Sequence, residues 1–264
     1  MRKESRRRAR DRMWRLYKWI RMNELKSSTE LKANAREYLL GNYGRVVPAQ
    51  IMYLLFIYLI DGLNGGALTT GNGSYLRSFL TLALAFIASI LREILNFGLC
   101  CFYMNLCCGF PTRINDLFRG FRFSDDRPAR IALMLTLRLV LYLCPGFAIY
   151  ALYTVSRSFF LLPLASLALV AGLLFYYIYY LNMSQCYYLI LDFPEKNISE
   201  IIQLSRWLMN GRKMRLFYLQ VGFIPILLLA AVPCGVGLLW AQPYMYTTFA
   251  CFHLHLTAKA AAQG

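Results

Sequence analysis

The sequence has little negative charge, little histidine and no recognisable catalytic motif. Thirteen Asp and Glu residues oppose 29 Lys and Arg residues, which leaves a net charge of +16, and the 264 residues include only two His. Neither a phosphate-binding loop nor a nucleophile elbow nor an HExxH pair is found, and His253 and His255 point to different helical faces. We therefore expect a protein that is not an enzyme and that uses no cofactor and no metal.

The chain also lacks the spaced cysteine framework of a small disulfide-bonded protein. Its eight cysteines lie nearly all in apolar runs, so we expect free thiols. Cys100, Met104 and Cys107 share one helical face and offer soft ligands of the kind that suit Cu(I). Cys and Met are also ordinary apolar filling, and no His lies near these residues in the sequence, so we predict no metal site there.

Long hydrophobic runs dominate the rest of the chain. Hydrophobic residues make up 58% of it, against roughly 45–50% in an average soluble domain. The excess is concentrated in runs near the length of about 20 residues that crosses a bilayer. We predict six spans, at 46–60, 79–108, 131–152, 159–191, 216–232 and 236–252. The second and fourth are too long for one perpendicular crossing, so each must tilt or break.

Short amphipathic segments precede three of these spans. Each is predicted to end at a glycine: Gly41, Gly120 and Gly211. An arginine follows the first and third glycines by four residues in both cases. We hypothesise three related units, each made of an amphipathic helix and a transmembrane hairpin. The alternative is convergence, because interfacial helices often precede spans.

The basic residues are unevenly distributed between the predicted loops. All but four of the 29 lie in the arm before the first span, in 109–130, in 192–215 and in the C-terminal tail. The positive-inside rule then predicts a multi-pass plasma-membrane protein with both termini in the cytoplasm. The same charge favours anionic lipid over nucleic acid as a partner. The residues expected to contact lipid headgroups are Arg45, Arg212, Lys213 and Arg215.

Three ionisable residues, Arg92, Glu93 and Arg138, are predicted to lie at membrane depth. Each would cost about 2.5–3.5 kcal/mol at the centre of a span, so each should face protein or water. One interpretation is a polar site inside the bundle, with Glu93 paired to Arg138 of the next span. The other is a structural ion pair, or residues close to an interface because the long helix is offset.

The domain organisation is predicted to be simple. A single membrane domain covers 22–256, a basic extension covers 1–21 and a short tail covers 257–264. The extension has one apolar helical face, so it is either a helix lying on anionic lipid or a disordered basic tail. A third alternative is that translation starts at Met22.

Several short motifs carry a resemblance to a known family. They are MNELK at 22–26, GNY at 41–43, DLFRGF at 116–121, MNG at 209–211, RLF at 215–217, GVGLLW at 235–240 and PY at 243–244. On these residues the chain is identified as a member of an uncharacterised bacterial membrane-protein family, domain of unknown function number 975, over about 22–256. It is more distantly similar to the membrane domain of some glycerophosphodiester phosphodiesterases. It departs from the family in the overlong region 147–171 and in Arg92-Glu93. The resemblance implies an integral membrane protein and supplies no catalytic residues.

Together these observations predict an all-α polytopic membrane bundle of about six transmembrane helices with short cytoplasmic amphipathic helices. The expected function is that of a non-enzymatic envelope protein that acts through anionic inner-leaflet lipids, a membrane-protein partner or a second copy of the chain. The alternative is a small transporter or channel with Arg92, Glu93 and Arg138 near its path. A membrane-embedded enzyme of lipid metabolism is a third class, and it would need polar groups converging at headgroup depth.

Overall fold

The computed structural model describes residues 27–69, 75–121, 126–232 and 235–263, without the side chains of 63–79 and 258–263. The predicted extension at 1–21 lies outside these residues. Within them the chain is helical and contains no strand. The helices are α1 Ser28–Leu39, α2 Tyr43–Thr69, α3 Tyr75–Cys107, a 3₁₀ segment Ile114–Phe121, α4 Arg127–Ser156, α5 Leu161–Met183, α6 Cys186–Asp192, α7 Ile198–Met209, α8 Lys213–Val221, α9 Ile224–Ala231 and α10 Leu238–Gln263.

Five segments of the described chain are long and apolar enough to cross a membrane, which confirms the predicted helical membrane bundle. They are Tyr43–Gly62, Leu80–Cys107, Arg127–Ser156, Leu161–Asp192 and Lys213–Ala231. The sixth predicted span, 236–252, forms part of α10 and is not among the five. Polar residues such as Gln242, Thr247 and Thr248 interrupt the apolar sequence of α10 and lower its mean hydropathy.

The two overlong predicted spans differ in the helices that they form. The run 79–108 belongs to a single helix, α3. The run 159–191 is broken into α5 and α6 at Ser184-Gln185. Residues before this break are mostly exposed, whereas α6 is buried along its whole length. The break therefore separates a lipid-type surface from a protein core.

Local signals in the sequence explain where α1 begins and where α1 and α7 end. Ser27 accepts from the backbone N–H of Glu30 at 3.3 Å and its own N–H donates to the Glu30 carboxylate at 2.8 Å, which is a capping box. Gly41 has φ 81° and Gly211 has φ 71°, a left-handed conformation that favours glycine. The predicted helix ends at these two residues are confirmed.

Gly120 ends no helix in this way, so the middle unit differs from the other two. Its backbone has an ordinary φ, and a Cβ on it would lie 2.8 Å from the carbonyl oxygen of Ile94. Gly120 lies inside the 3₁₀ segment, which packs on α3. Glycine is needed at this position because the 3₁₀ segment approaches α3 closely, and not because the chain turns there.

The core lies where the C-terminal halves of α3 and α10 meet α6. Leu99 and Phe102 of α3, Leu189 of α6 and Phe252 of α10 are fully buried there. Each amphipathic segment covers part of this core: α1 packs on α10, the 3₁₀ segment on α3, and α7 on α5 and α6. Each amphipathic segment thus covers the last helix of the unit before it. Because α1 covers α10 of the third unit, the three units form a closed ring.

The contacts of the first and third units repeat in the same register. Gln50 and Gln220 each lie nine residues after their glycine, and they bond to Gln242 of α10 and Tyr177 of α5 respectively. Arg36 and Arg206 each lie five residues before the glycine, and they approach Tyr244 and Tyr179, two residues further along the same partner helices. This shared register supports the hypothesis that at least these two units are related.

Candidate polar sites in the bundle

Arg92 of α3 pairs with the Asp61 carboxylate of α2. Its guanidinium donates to the Asp61 Oδ1 oxygen, and the two side chains are 45% and 51% exposed. This partner was not predicted, because Asp61 directly follows the predicted first span and was placed in the loop. Since both side chains are half exposed, this ion pair costs less desolvation than a buried one would.

Glu93 is held between α3 and α6. The Tyr187 hydroxyl donates to Glu93 Oε2 at 3.0 Å, and the Asn96 side chain lies near the carboxylate, one turn further along α3. Glu93 is partly buried and Tyr187 is almost fully buried. Its position among hydrogen-bond donors explains how a carboxylate is accommodated in the middle of an apolar helix.

The predicted pairing of Glu93 with Arg138 is wrong. Among the described residues no ion pair joins the two side chains, and the Arg138 guanidinium instead lies 5.5 Å from the centre of the Tyr179 ring. The reason is the packing of α4, which runs along α5 and turns Arg138 towards that helix. Glu93 faces α6, so the structure separates the three predicted residues into three environments.

The four predicted headgroup residues flank the Gly41 and Gly211 turns. Arg45 is exposed in the first turn of α2, and Arg212, Lys213 and Arg215 are partly exposed at the start of α8. Both turns lie at the end of the bundle where the amphipathic segments cover the core. Their contact with lipid headgroups stays a prediction.

A buried polar site around His253 was not predicted from the sequence. His253 is fully buried, and its Nε2 lies 2.9 Å from Asp192 Oδ2 and its Nδ1 2.9 Å from Gln185 Oε1. The Gln185 amide nitrogen bonds to the Ser184 hydroxyl, which leaves the amide oxygen facing the imidazole. Both ring nitrogens of His253 therefore lie within hydrogen-bond distance of a buried polar side chain, which accounts for an imidazole in the core.

The surroundings of this pair are tightly packed. The Tyr188 ring stacks on His253 with centroids 4.9 Å apart and planes 20° from parallel. Asp192 Oδ1 is buried and has no hydrogen-bond partner among the described residues. Asp192 and Gln185 lie more than 60 residues from His253, so no local sequence pattern could have shown the contact.

A second buried network joins α2, α3 and α10. The Tyr103 hydroxyl donates to Gln50 Oε1 at 2.9 Å, and the Gln50 amide nitrogen donates to Gln242 Oε1. The Tyr103 ring stacks on Tyr246 with centroids 5.7 Å apart. This network links the first span to the last helix and satisfies polar groups that would otherwise be costly inside the core.

The described cysteines are free thiols, as predicted. Cys107 and Cys251 approach with their sulfur atoms 3.8 Å apart, which joins the end of α3 to the middle of α10. Cys107 Sγ also lies 3.8 Å from the Thr247 carbonyl oxygen. These thiols pack as small apolar side chains in the core.

The fold and its buried polar contacts define an all-helical bundle of the membrane type. The chain belongs to the family described as "Protein of unknown function (DUF975)", whose sequence profile matches residues 22–260. No curated protein and no solved structure matches the chain. The membership predicted from the short motifs is therefore confirmed, while the more distant similarity to the phosphodiesterase membrane domain stays a prediction.

Proposed function

We propose that this protein is a multi-pass plasma-membrane protein with both termini in the cytoplasm, and that it acts in the envelope without catalysing a reaction. Its partners are anionic lipids of the inner leaflet and a membrane protein or a second copy of the chain. The positive-inside rule supplies the orientation, and the surface potential of the inner leaflet supplies the attraction.

One observation carries this proposal: the two ends of the bundle differ in charge. The end covered by the amphipathic segments holds basic residues from four separate parts of the chain, among them Arg45, Arg130, Arg206 and Arg215. At the opposite end of α4 the described residues include one basic side chain, Arg157. Between the two ends, α4 and α5 expose large apolar side chains such as Leu141, Leu167 and Leu174, each more than half exposed.

The orientation is tested with reporter fusions to the full chain. Green fluorescent protein fused after Gly264 is expected to fluoresce, and alkaline phosphatase inserted after Arg157 is expected to be active, because only the cytoplasm supports the first and only the outside supports the second. The exchanged fusions serve as controls and should both be silent. Active phosphatase at the C-terminus together with fluorescence from the 157 insertion would reverse the proposed topology.

Transport remains the second candidate function, and Glu93 is the observation that favours it. Ionisable residues are rare inside spans, and those that occur there commonly mark a substrate or ion path. Glu93 lies near the middle of the segment Leu80–Cys107 and is bonded by a neutral donor, with no basic side chain forming an ion pair to it among the described residues. A carboxylate in this setting can exchange a proton or a cation.

Two substitutions of Glu93 separate a structural role from a transport role. Glu93→Ala removes the acceptor of the Tyr187 hydroxyl, so we expect a loss of about 1–3 kcal/mol in stability and a lower melting temperature in detergent. Glu93→Gln keeps an acceptor oxygen and should melt within a few degrees of the wild type. Cation- or proton-driven uptake into proteoliposomes that is present in the wild type and absent in Glu93→Gln would favour the transporter over our first proposal.

A further inference from the structure

Two arginines from different helices approach one tyrosine at the surface of the bundle. The Arg138 guanidinium of α4 lies 5.5 Å from the centre of the Tyr179 ring of α5. Arg206 of α7 lies beside the same part of α5, because the hydroxyl of the neighbouring Ser205 donates to the Asn182 carbonyl oxygen at 2.7 Å, one turn after Tyr179. Both arginines are exposed, and Tyr179 is partly exposed. Three potential donors therefore converge from α4, α5 and α7.

Neither guanidinium has a carboxylate partner among the described residues. The ion pairs that the structure shows involve other basic residues, such as Arg92 with Asp61 and Arg130 with Asp126. Two like charges near one tyrosine repel each other, and this repulsion is relieved when an anion lies between them. The arrangement is thus suited to a negatively charged ligand.

The first unit contains an equivalent arginine–tyrosine pair without a second guanidinium. Arg36 occupies the position equivalent to Arg206, and its Nε donates to the Tyr244 hydroxyl at 3.1 Å, with its guanidinium 5.4 Å from the ring. Arg138 adds a second guanidinium to the Tyr179 pair. The second cation is therefore a feature of one pair and not a consequence of the repeated packing.

The position of these residues along the bundle indicates what kind of anion fits. On α4, the exposed Arg130 lies eight residues before Arg138, about 12 Å along the helix, and the exposed side chains just beyond Arg138, Val140 and Leu141, are apolar. Trp207, next to Arg206, is 59% exposed, and tryptophan is typical of the membrane–water boundary. The arginines thus lie at the boundary between a basic surface and an apolar one, as a phospholipid headgroup does.

We propose that Arg138, Tyr179 and Arg206 bind the phosphate group of an anionic phospholipid of the inner leaflet, with its acyl chains against α4 and α5. Arginine suits this ligand because its planar donors match the oxygens of a phosphate. The site rests on the proposed function for its choice of leaflet, and it assigns lipid contact to residues other than those beside the glycine turns.

The test uses the full chain, purified in a neutral detergent and stripped of lipid. The melting temperature is measured against increasing dioleoyl phosphatidylglycerol, with dioleoyl phosphatidylcholine and inorganic phosphate as separate arms, because a ligand that binds the folded state raises that temperature. The double variant Arg138→Gln, Arg206→Gln should need about tenfold more phosphatidylglycerol for the same shift. Tyr179→Phe, which keeps the ring packing, should lose a smaller part of the response.

A charge-matched control is the double variant Arg92→Gln, Arg157→Gln, which removes two positive charges outside the basic end and should respond like the wild type. An equal response of both double variants to phosphatidylglycerol would overturn the site and leave the proposed function standing. A wild type that responds equally to both lipids would overturn the lipid partner of the proposed function as well. A phosphate response that only the Arg138, Arg206 variant loses would keep the phosphate site and reject the lipid as its source.

Discussion

Gly98→Ala is expected to destabilise the protein severely. A Cβ on Gly98 would lie 1.7 Å from the backbone oxygen of Leu117, so α3 and the 3₁₀ segment would have to separate. Leu117 and Phe97 are almost fully buried beside this contact, and the backbone has little room to move. We expect a loss of about 3 kcal/mol or more, seen as a large fall in melting temperature and in the monodisperse fraction on size exclusion.

Gly44→Ala is the matched control for this substitution. Gly44 is also helical and has no neighbouring atom within 4 Å of an added Cβ. Alanine is the better helix former by up to about 1 kcal/mol, so this variant should be as stable as the wild type or slightly more stable. Equal melting temperatures for the two alanine variants would show that the α3 contact with the 3₁₀ segment does not hold the fold together.

Asp192→Ala is expected to have the second large effect. The substitution leaves the His253 imidazole fully buried without its carboxylate partner, which lies 2.9 Å away in the native protein. Removing one partner of a buried hydrogen bond costs about 1–3 kcal/mol, because the other group stays buried without a partner. Asp126→Ala is the control, since its pair with Arg130 is exposed and is worth about 0–1 kcal/mol.

A double variant tests whether the unpartnered imidazole is the cause of that loss. Asp192→Ala combined with His253→Leu removes both polar partners, so it should melt at a higher temperature than Asp192→Ala alone. If Asp192→Ala melts like Asp126→Ala, then the buried contact between Asp192 and His253 contributes little to stability. Thermal unfolding in the same detergent at the same pH measures all four proteins.

Local patterns in the sequence were sufficient for five of the six predicted spans and for the helix ends at Gly41 and Gly211. An apolar run of bilayer length needs no tertiary information, because the backbone must satisfy its own hydrogen bonds in lipid and a helix does so. The Ser27 capping box and the left-handed glycines at 41 and 211 likewise depend on neighbours within a few residues. Only α10 departs from this pattern, since it is less apolar than a span and is buried around His253.

The polar contacts were beyond the reach of such patterns. Glu93 and Arg138 lie on consecutive spans and have opposite charges, which made a pair reasonable, yet α4 rotates Arg138 towards α5 and the 3₁₀ segment occupies the groove of α3 at Gly98. His253 meets Asp192 and Gln185 across more than 60 residues of chain. A one-dimensional pattern gives the face of a helix, but not the neighbour that the face will meet.

The sequence by itself determined an all-helical membrane-type chain, its charged end and the glycine turns that separate amphipathic helices from spans. Hydropathy, charge and backbone conformation are properties of short segments, so they can be read without a fold. Tertiary structure alone decided which helix each amphipathic segment covers, and hence that Arg138 and Arg206 lie beside Tyr179 and that Asp192 contacts His253. These contacts follow from the rotation and close approach of whole helices, which the packing of all side chains sets together.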